Sequence, residues 1–155
     1  GATIERHPED KDATDLALAL DAAARMLEGR GDVAVVGAGG GRFDHLLAGV
    51  LALADPARAA LRITAFLGEA TVHVVHGGNE VRLDQPAGAA VSIVPVGGPA
   101  LGVTTAGLAW PLTDAILPPG TTRGVSNLIT EPPATISVAG GTALVVLPGG
   151  TEGDR

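Results

Sequence analysis

The stretch GGRFDH (40–45) sets a guanidinium, Arg42, two residues before a carboxylate, Asp44, behind a run of four glycines in five residues (37–41). An apolar helical pattern begins immediately afterwards, so both charged groups stand at the mouth of a helix, beside amides with no intrahelical partner. A fork of N–H donors and a carboxylate in that place can hold an anion and orient a hydroxyl. The glycine run is a weak signal when taken alone. No Gly-Lys-Ser/Thr follows it, as a phosphate-cradling Walker loop requires, and Arg42 stands where the dinucleotide fingerprint needs its third glycine. A tight turn between strand and helix explains the run equally well.

Two further polar groups bear on chemistry. DKDATD (10–15) gathers Asp10, Asp12 and Asp15 around Lys11, with Thr14 among them. Mg²⁺ binds through one or two carboxylates plus water and phosphate oxygens, which this segment can supply. The plainer alternative is a solvated, acidic helix start. TTRGVSN (121–127) places small hydrogen-bonding groups, including Ser126 and Asn127, in a loop that can bind something polar. His7, His73 and His76 have no ligand-like partners at useful spacing, and the last two are expected on strands, at the surface or half-buried. Trp110, the only tryptophan, is expected to pack between sheets.

The elements that must position these groups are legible from periodicity. ATIER (2–6) is a short strand candidate. From Thr14 the pattern turns helical, with Leu16, Leu20, Ala23, Ala24 and Leu27 at spacings of three and four. Thr14 suits the N-cap and Asp15 the positive end of the helix dipole. DVAVVG (32–37) has the character of a buried parallel strand. A second helix is expected from about Asp44 to Ala54, ending before Pro56. Strand, glycine loop and helix make the unit of an open α/β sheet, whose ligands sit beyond the carboxyl ends of the strands. After about residue 60 the chain becomes a series of short β-rich runs punctuated by Gly, Pro and Asn, as in a sandwich or barrel, with HGGNE (76–80) as a hairpin turn. The fold class expected is therefore α/β followed by β: a partial Rossmann-like parallel domain over 1–61, an all-β sandwich over 62–150, and a disordered tail at 151–155.

Composition narrows the partners. Hydrophobic residues make up 46% of the chain and charged residues 17%, which argues against disorder. Aromatic residues are only 2%, so the core must be aliphatic. A net charge of −7 leaves no basic stripe to follow a phosphate backbone, and no nucleic-acid partner is expected. Cysteine is absent, which excludes disulfides and thiolate metal sites and fits a reducing cytoplasm. No apolar run reaches the ~20 residues of a membrane span.

Read together, DKDATD before a helix, GGRFDH opening the next, GLAWPL (107–112) and LPPGTTRGVSN (117–127) resemble, in this order, the thiamin pyrophosphokinase family. The resemblance spans nearly the whole chain. It implies an N-terminal α/β domain followed by a β-sandwich, and transfer of a diphosphoryl group from ATP to thiamine with Mg²⁺, giving thiamine diphosphate and AMP. It also implies a cytoplasmic homodimer whose active sites are shared between the α/β domain of one subunit and the sandwich of the other. Arg42 would then hold ATP phosphates, and Asp44 would orient or help deprotonate the thiamine hydroxyl. Lys11, Thr14 and Asp15 would line the phosphate and Mg²⁺ region, with Asp12 beside Asp15 as metal ligand. Ser126 and Asn127 would meet the thiamine pyrimidine. The chain departs from the family's pattern at Ala17, Gly49 and Leu128, where Glu, Asn and an acidic residue are usual. The resemblance further implies that an aspartate-rich strand-end segment precedes residue 1, so that this chain alone would turn over little. A module that binds thiamine without catalysis, or an inactive fragment of the enzyme, is the alternative reading.

Overall fold

The computed structural model describes residues 14–37 and 41–149. The strand candidate at 2–6, Lys11, Asp12 and the tail at 151–155 lie outside the described residues.

Helix α1 (Asp15–Met26) starts where its cap allows. Thr14 is extended, and its hydroxyl accepts the Ala17 N–H at 3.2 Å, with Asp15 in the positive first turn. Strand β1 (Gly31–Gly37) leads to α2 (Phe43–Leu53), and a single 3₁₀ turn (Pro56–Arg58) delivers the chain to β2 (Leu61–Leu67). Strands β1 and β2 pair in parallel over their whole length, from Gly31↔Leu61 to Gly37↔Leu67, with α2 as their crossover.

Eight further strands follow: β3 (Ala70–His76), β4 (Asn79–Leu83), β5 (Ala90–Pro95), β6 (Ala100–Ala106), β7 (Ala115–Leu117), β8 (Asn127–Leu128), β9 (Ala134–Val138) and β10 (Thr142–Leu147). Among the described residues they complete a six-stranded sheet in the order β1-β2-β3-β10-β5-β8 and build a second, four-stranded sheet in the order β4-β9-β6-β7. The fold is thus mixed α/β with two sheets, mostly strand. The larger sheet runs through residue 61 without a break, because β2 pairs with β1 on one side and β3 on the other.

Two apolar layers follow from strand alternation. On one face, Leu61, Ile63, Ala65, Val72, Val74 and Leu144 pack against Leu20 of α1 and Leu53 of α2. On the other, Val75, Val91, Ile93 and Val145 meet Val103, Leu117, Ile136 and Val138 of the second sheet, the sandwich core. Among the described residues, β1 and β2 contribute nothing to that second layer. The β2–β3 ladder also covers only Thr64–Leu67 against Ala70–His73. Beyond it lies an open cavity of about 470 Å³ lined by Leu61–Thr64, His73–His76 and the start of β4.

Three local expectations are corrected here. DVAVVG forms a parallel strand, but among the described residues it stands at the end of the sheet rather than buried: Val36 is 82% exposed. HGGNE does not close a hairpin. Strand β3 pairs with β2 and β10, whereas β4 pairs with β9, so the turn carries the chain from one sheet to the other. Gly77 permits this crossing, since a Cβ there would lie 2.8 Å from the Cα of Gly140. Trp110 does not pack between the sheets and is 60% exposed.

Candidate active site

Arg42 is the N-cap residue of α2, extended, and offers no side-chain cap of its own. Its guanidinium instead grips Asp44 as a fork: Nε donates to Oδ1 at 3.1 Å and a terminal nitrogen to Oδ2 at 2.6 Å. Asp44 Oδ1 also accepts the His45 N–H at 3.0 Å. The Arg42 bond, with the His45 amide adding to it, holds the Asp44 carboxyl below the usual carboxylate range despite some desolvation. While Arg42 holds it, Asp44 is therefore a weakly basic carboxylate. Both side chains are open to solvent, so an incoming anion can reach the guanidinium and compete with Asp44 for it.

Beside this pair an open cavity of about 310 Å³ runs between α1, α2 and the carboxyl end of β1, lined by Leu16, Val36, Gly37, His45, Gly49 and Leu53. Leu16 and His45, the residues after Asp15 and Asp44, both line it, so the first turns of α1 and α2 meet at this cavity. Gly49 lets the helices close together there, because a Cβ at that position would sit 3.3 Å from the Leu16 side chain. Among the described residues no three His, Asp or Glu side chains converge as a metal cage.

Ser126 and Asn127 occupy another place. Asn127 opens β8 and is 3% exposed. Its oxygen accepts the Trp110 N–H at 3.1 Å and the Leu128 N–H at 2.9 Å, while its nitrogen donates to the Trp110 carbonyl at 2.7 Å. Ser126 is exposed at φ +58°, and its N–H donates to Ser92 Oγ at 3.0 Å. Asn127 therefore binds the backbone of Trp110, whose side chain is exposed rather than packed in the core. The available signal was Pro111, which follows Trp110 and disfavours a continuing strand there.

The register relates the two groups. Gly37 aligns with Leu67, and Val72 with Val146 and Ser92, next to Val91↔Asn127, so both groups lie toward the same end of the six-stranded sheet. Among the described residues the strands that lead to them, β1 and β8, are the two ends of that sheet's order. Five inter-strand steps of ~4.8 Å separate them by on the order of 24 Å.

Residues 1–65 match the model of the thiamin pyrophosphokinase catalytic domain, and residues 78–142 that of the thiamin pyrophosphokinase vitamin B1 binding domain. A rice protein (Oryza sativa subsp. japonica), thiamine pyrophosphokinase 1, is 27% identical, over 84% of this chain and 52% of its own length. Thiamine pyrophosphokinase from Bacillus subtilis shares the fold with a TM-score of 0.78 at 24% identity, covering 91% of this chain and 65% of that one. The enzyme from Geobacillus thermodenitrificans gives 0.76 at 27%, covering 96% and 66%. The chain thus spans about half the length of the curated relative and about two thirds of the solved structures. With both family models matched in order and one fold shared throughout, the chain belongs to the thiamin pyrophosphokinase family.

Proposed function

We propose that the protein is a thiamine diphosphokinase, which transfers a diphosphoryl group from ATP to the hydroxyethyl oxygen of thiamine. In that reaction the thiamine oxygen bonds to the β-phosphorus, the bond from that phosphorus to the α-phosphate oxygen breaks, and AMP leaves. The observation that carries the reading is the exposed Arg42–Asp44 fork at the mouth of α2. Phosphoryl-type transfer depends on positioning and charge neutralisation rather than on a covalent nucleophile. Arg42 passes its fork from Asp44 to the ATP phosphates, and the freed Asp44 carboxylate, no longer held down by that fork, accepts a hydrogen bond from the thiamine hydroxyl, aims the oxygen and takes its proton as the bond to phosphorus forms. Thr14 and Asp15, with Lys11, border the phosphate region. Mg²⁺ favours one or two carboxylates and substrate phosphates over an all-protein cage, and Asp15 with Asp12 is a donor set of that kind, which would neutralise phosphate charge when the ion is bound.

On this reading the thiamine pyrimidine lies on the exposed indole of Trp110, with the Ser126 hydroxyl at its edge. A spacing on the order of 24 Å between β1, which leads to α2, and β8, which carries Asn127, exceeds what one thiamine spans. A homodimer, in which one copy's sandwich faces the other's α2, resolves this, and the α/β part then serves as a Rossmann-like nucleotide unit. Phe43, Leu47 and Leu51, exposed at 74%, 46% and 49% along one stripe of α2, offer an apolar face for the second copy.

The test is thiamine-dependent AMP release from ATP with Mg²⁺, measured on the 155-residue chain and on any longer natural form containing it. Asp44→Asn should lower kcat by about 10²–10³-fold, the scale of losing a positioned polar group in the transition state. AMP release insensitive to this change removes Asp44 from the mechanism. Thiamine binding with no AMP release from any form makes the protein a binding module.

A further inference from the structure

Trp110 carries its indole outside the sandwich, yet the peptide beneath it is held from both sides. Asn127 supplies both bonds, and the bonding pattern dictates which end of its carboxamide is which: two backbone N–H groups meet the oxygen and one carbonyl meets the nitrogen. With both lone pairs of the oxygen engaged and the side chain 3% exposed, this carboxamide has no acceptor left for a ligand. The surrounding backbone reinforces the grip. Ala109 donates to the Leu128 carbonyl at 2.9 Å, Leu108 bridges Ile129, and Ser126 is fixed at positive φ with its N–H on Ser92.

We infer that Asn127 is a positioning residue: it acts through Trp110, clamping that peptide so that the indole face and the Ser126 hydroxyl form two sides of one seat for a flat heteroaromatic ring. The inference rests on the thiamine reading above for the identity of the ring, but the clamp is a property of the unliganded protein. Only a side-chain amide of this length satisfies it. Aspartate keeps the acceptor for Trp110 and Leu128 but turns a carboxylate oxygen toward the Trp110 carbonyl, and alanine leaves two part-buried N–H groups and a part-buried carbonyl without these partners.

Trp110 is the only tryptophan, so its fluorescence reports the clamp directly. In Asn127→Asp the emission maximum should shift and acrylamide quenching should rise before any ligand is added. Thiamine Kd, by calorimetry on the same full chain, should weaken about five- to tenfold, the scale of one lost aromatic contact. Ile136→Val, a core truncation in β9 away from the clamp, should lower the thermal midpoint while leaving both emission and thiamine Kd unchanged. Wild-type emission and quenching in Asn127→Asp would overturn the clamp. So would an Ile136→Val variant that moved emission and Kd to the same extent, since the role would then be general stability. Should Asn127→Asp not fold, hydrogen exchange of the Asn127 carboxamide and Trp110 amide in the unaltered chain decides: slow exchange supports the clamp, and exchange at free-loop rates overturns it. If the emission shifts but the unaltered protein binds no thiamine, the clamp stands and the thiamine reading fails.

Discussion

His73 and His76 project from opposite faces of β3, His76 buried and His73 half-buried. His73 Nδ1 lies 3.1 Å from Thr64 Oγ1, and His76 Nδ1 lies 2.9 Å from Thr142 Oγ1, with His76 Nε2 buried and lacking a partner among the described groups. Burial lowers the pKa of each, and Asp55 pulls His76 only part of the way back. The unfolded chain takes up a proton near the ordinary histidine value of about 6.5, whereas the folded chain resists doing so until lower pH. Their contribution is therefore fully present above about pH 6.5 and is lost as pH falls below it toward the depressed folded values. Urea midpoints should fall between pH 7.5 and pH 5, and His76→Gln should shrink that fall. Equal midpoints at both pH values would mean that the folded protein protonates these rings freely. Asp44 has its window further down: its pKa is also lowered, so the stability from its pairing survives until pH drops below the ordinary carboxylate range.

At the scale of elements, Arg58 ties the helical layer together. Its side chain, only 10% exposed, donates to Asp55 in its own turn, to the Ala52 carbonyl at the end of α2, and across to Asp21 on α1. Arg58→Ala should cost about 1–3 kcal/mol by urea denaturation, the range for hydrogen bonds to charged groups, and Arg58→Lys should recover only part because an ammonium cannot span three acceptors as a fork does. A loss below about 0.5 kcal/mol would reduce the contact to an ordinary surface pair. How far these elements were legible depended on how local their causes are. Helices α1 and α2 were readable because Thr14, the three-four apolar spacing and Pro56 act within a few residues. Strands β7 and β8, three and two residues long, carry too little periodicity to be seen. The Gly77–Gly78 turn was recognisable as a turn, but which strand β4 would pair with depends on β9, more than fifty residues away in sequence. The site divides in the same way. Arg42 and Asp44 are two residues apart and their pairing follows from spacing, whereas the Asn127–Trp110 clamp spans seventeen residues and needs the fold to bring it together.

For the whole molecule, the proposed dimer makes a mass prediction. Sedimentation equilibrium should report twice the chain mass, and Leu47→Glu, which places a charge in the exposed apolar stripe of α2, should shift the protein toward monomer and reduce AMP release in parallel. A variant that is monomeric and fully active would separate assembly from function. The topology of the larger sheet carries a different consequence, one of timing. Strand β10 lies between β3 and β5 and pairs with both, yet it follows every other strand of the sheet along the chain. During synthesis β3 and β5 leave the ribosome with no neighbour on their facing edges, and the centre of the sheet closes only when Thr142–Leu147 arrives. Until then two apolar strand edges are open to other nascent chains. Yield in the cell is therefore governed by the interval between making β5 and making β10, and a chain halted in that interval is committed to aggregation rather than to a smaller folded product.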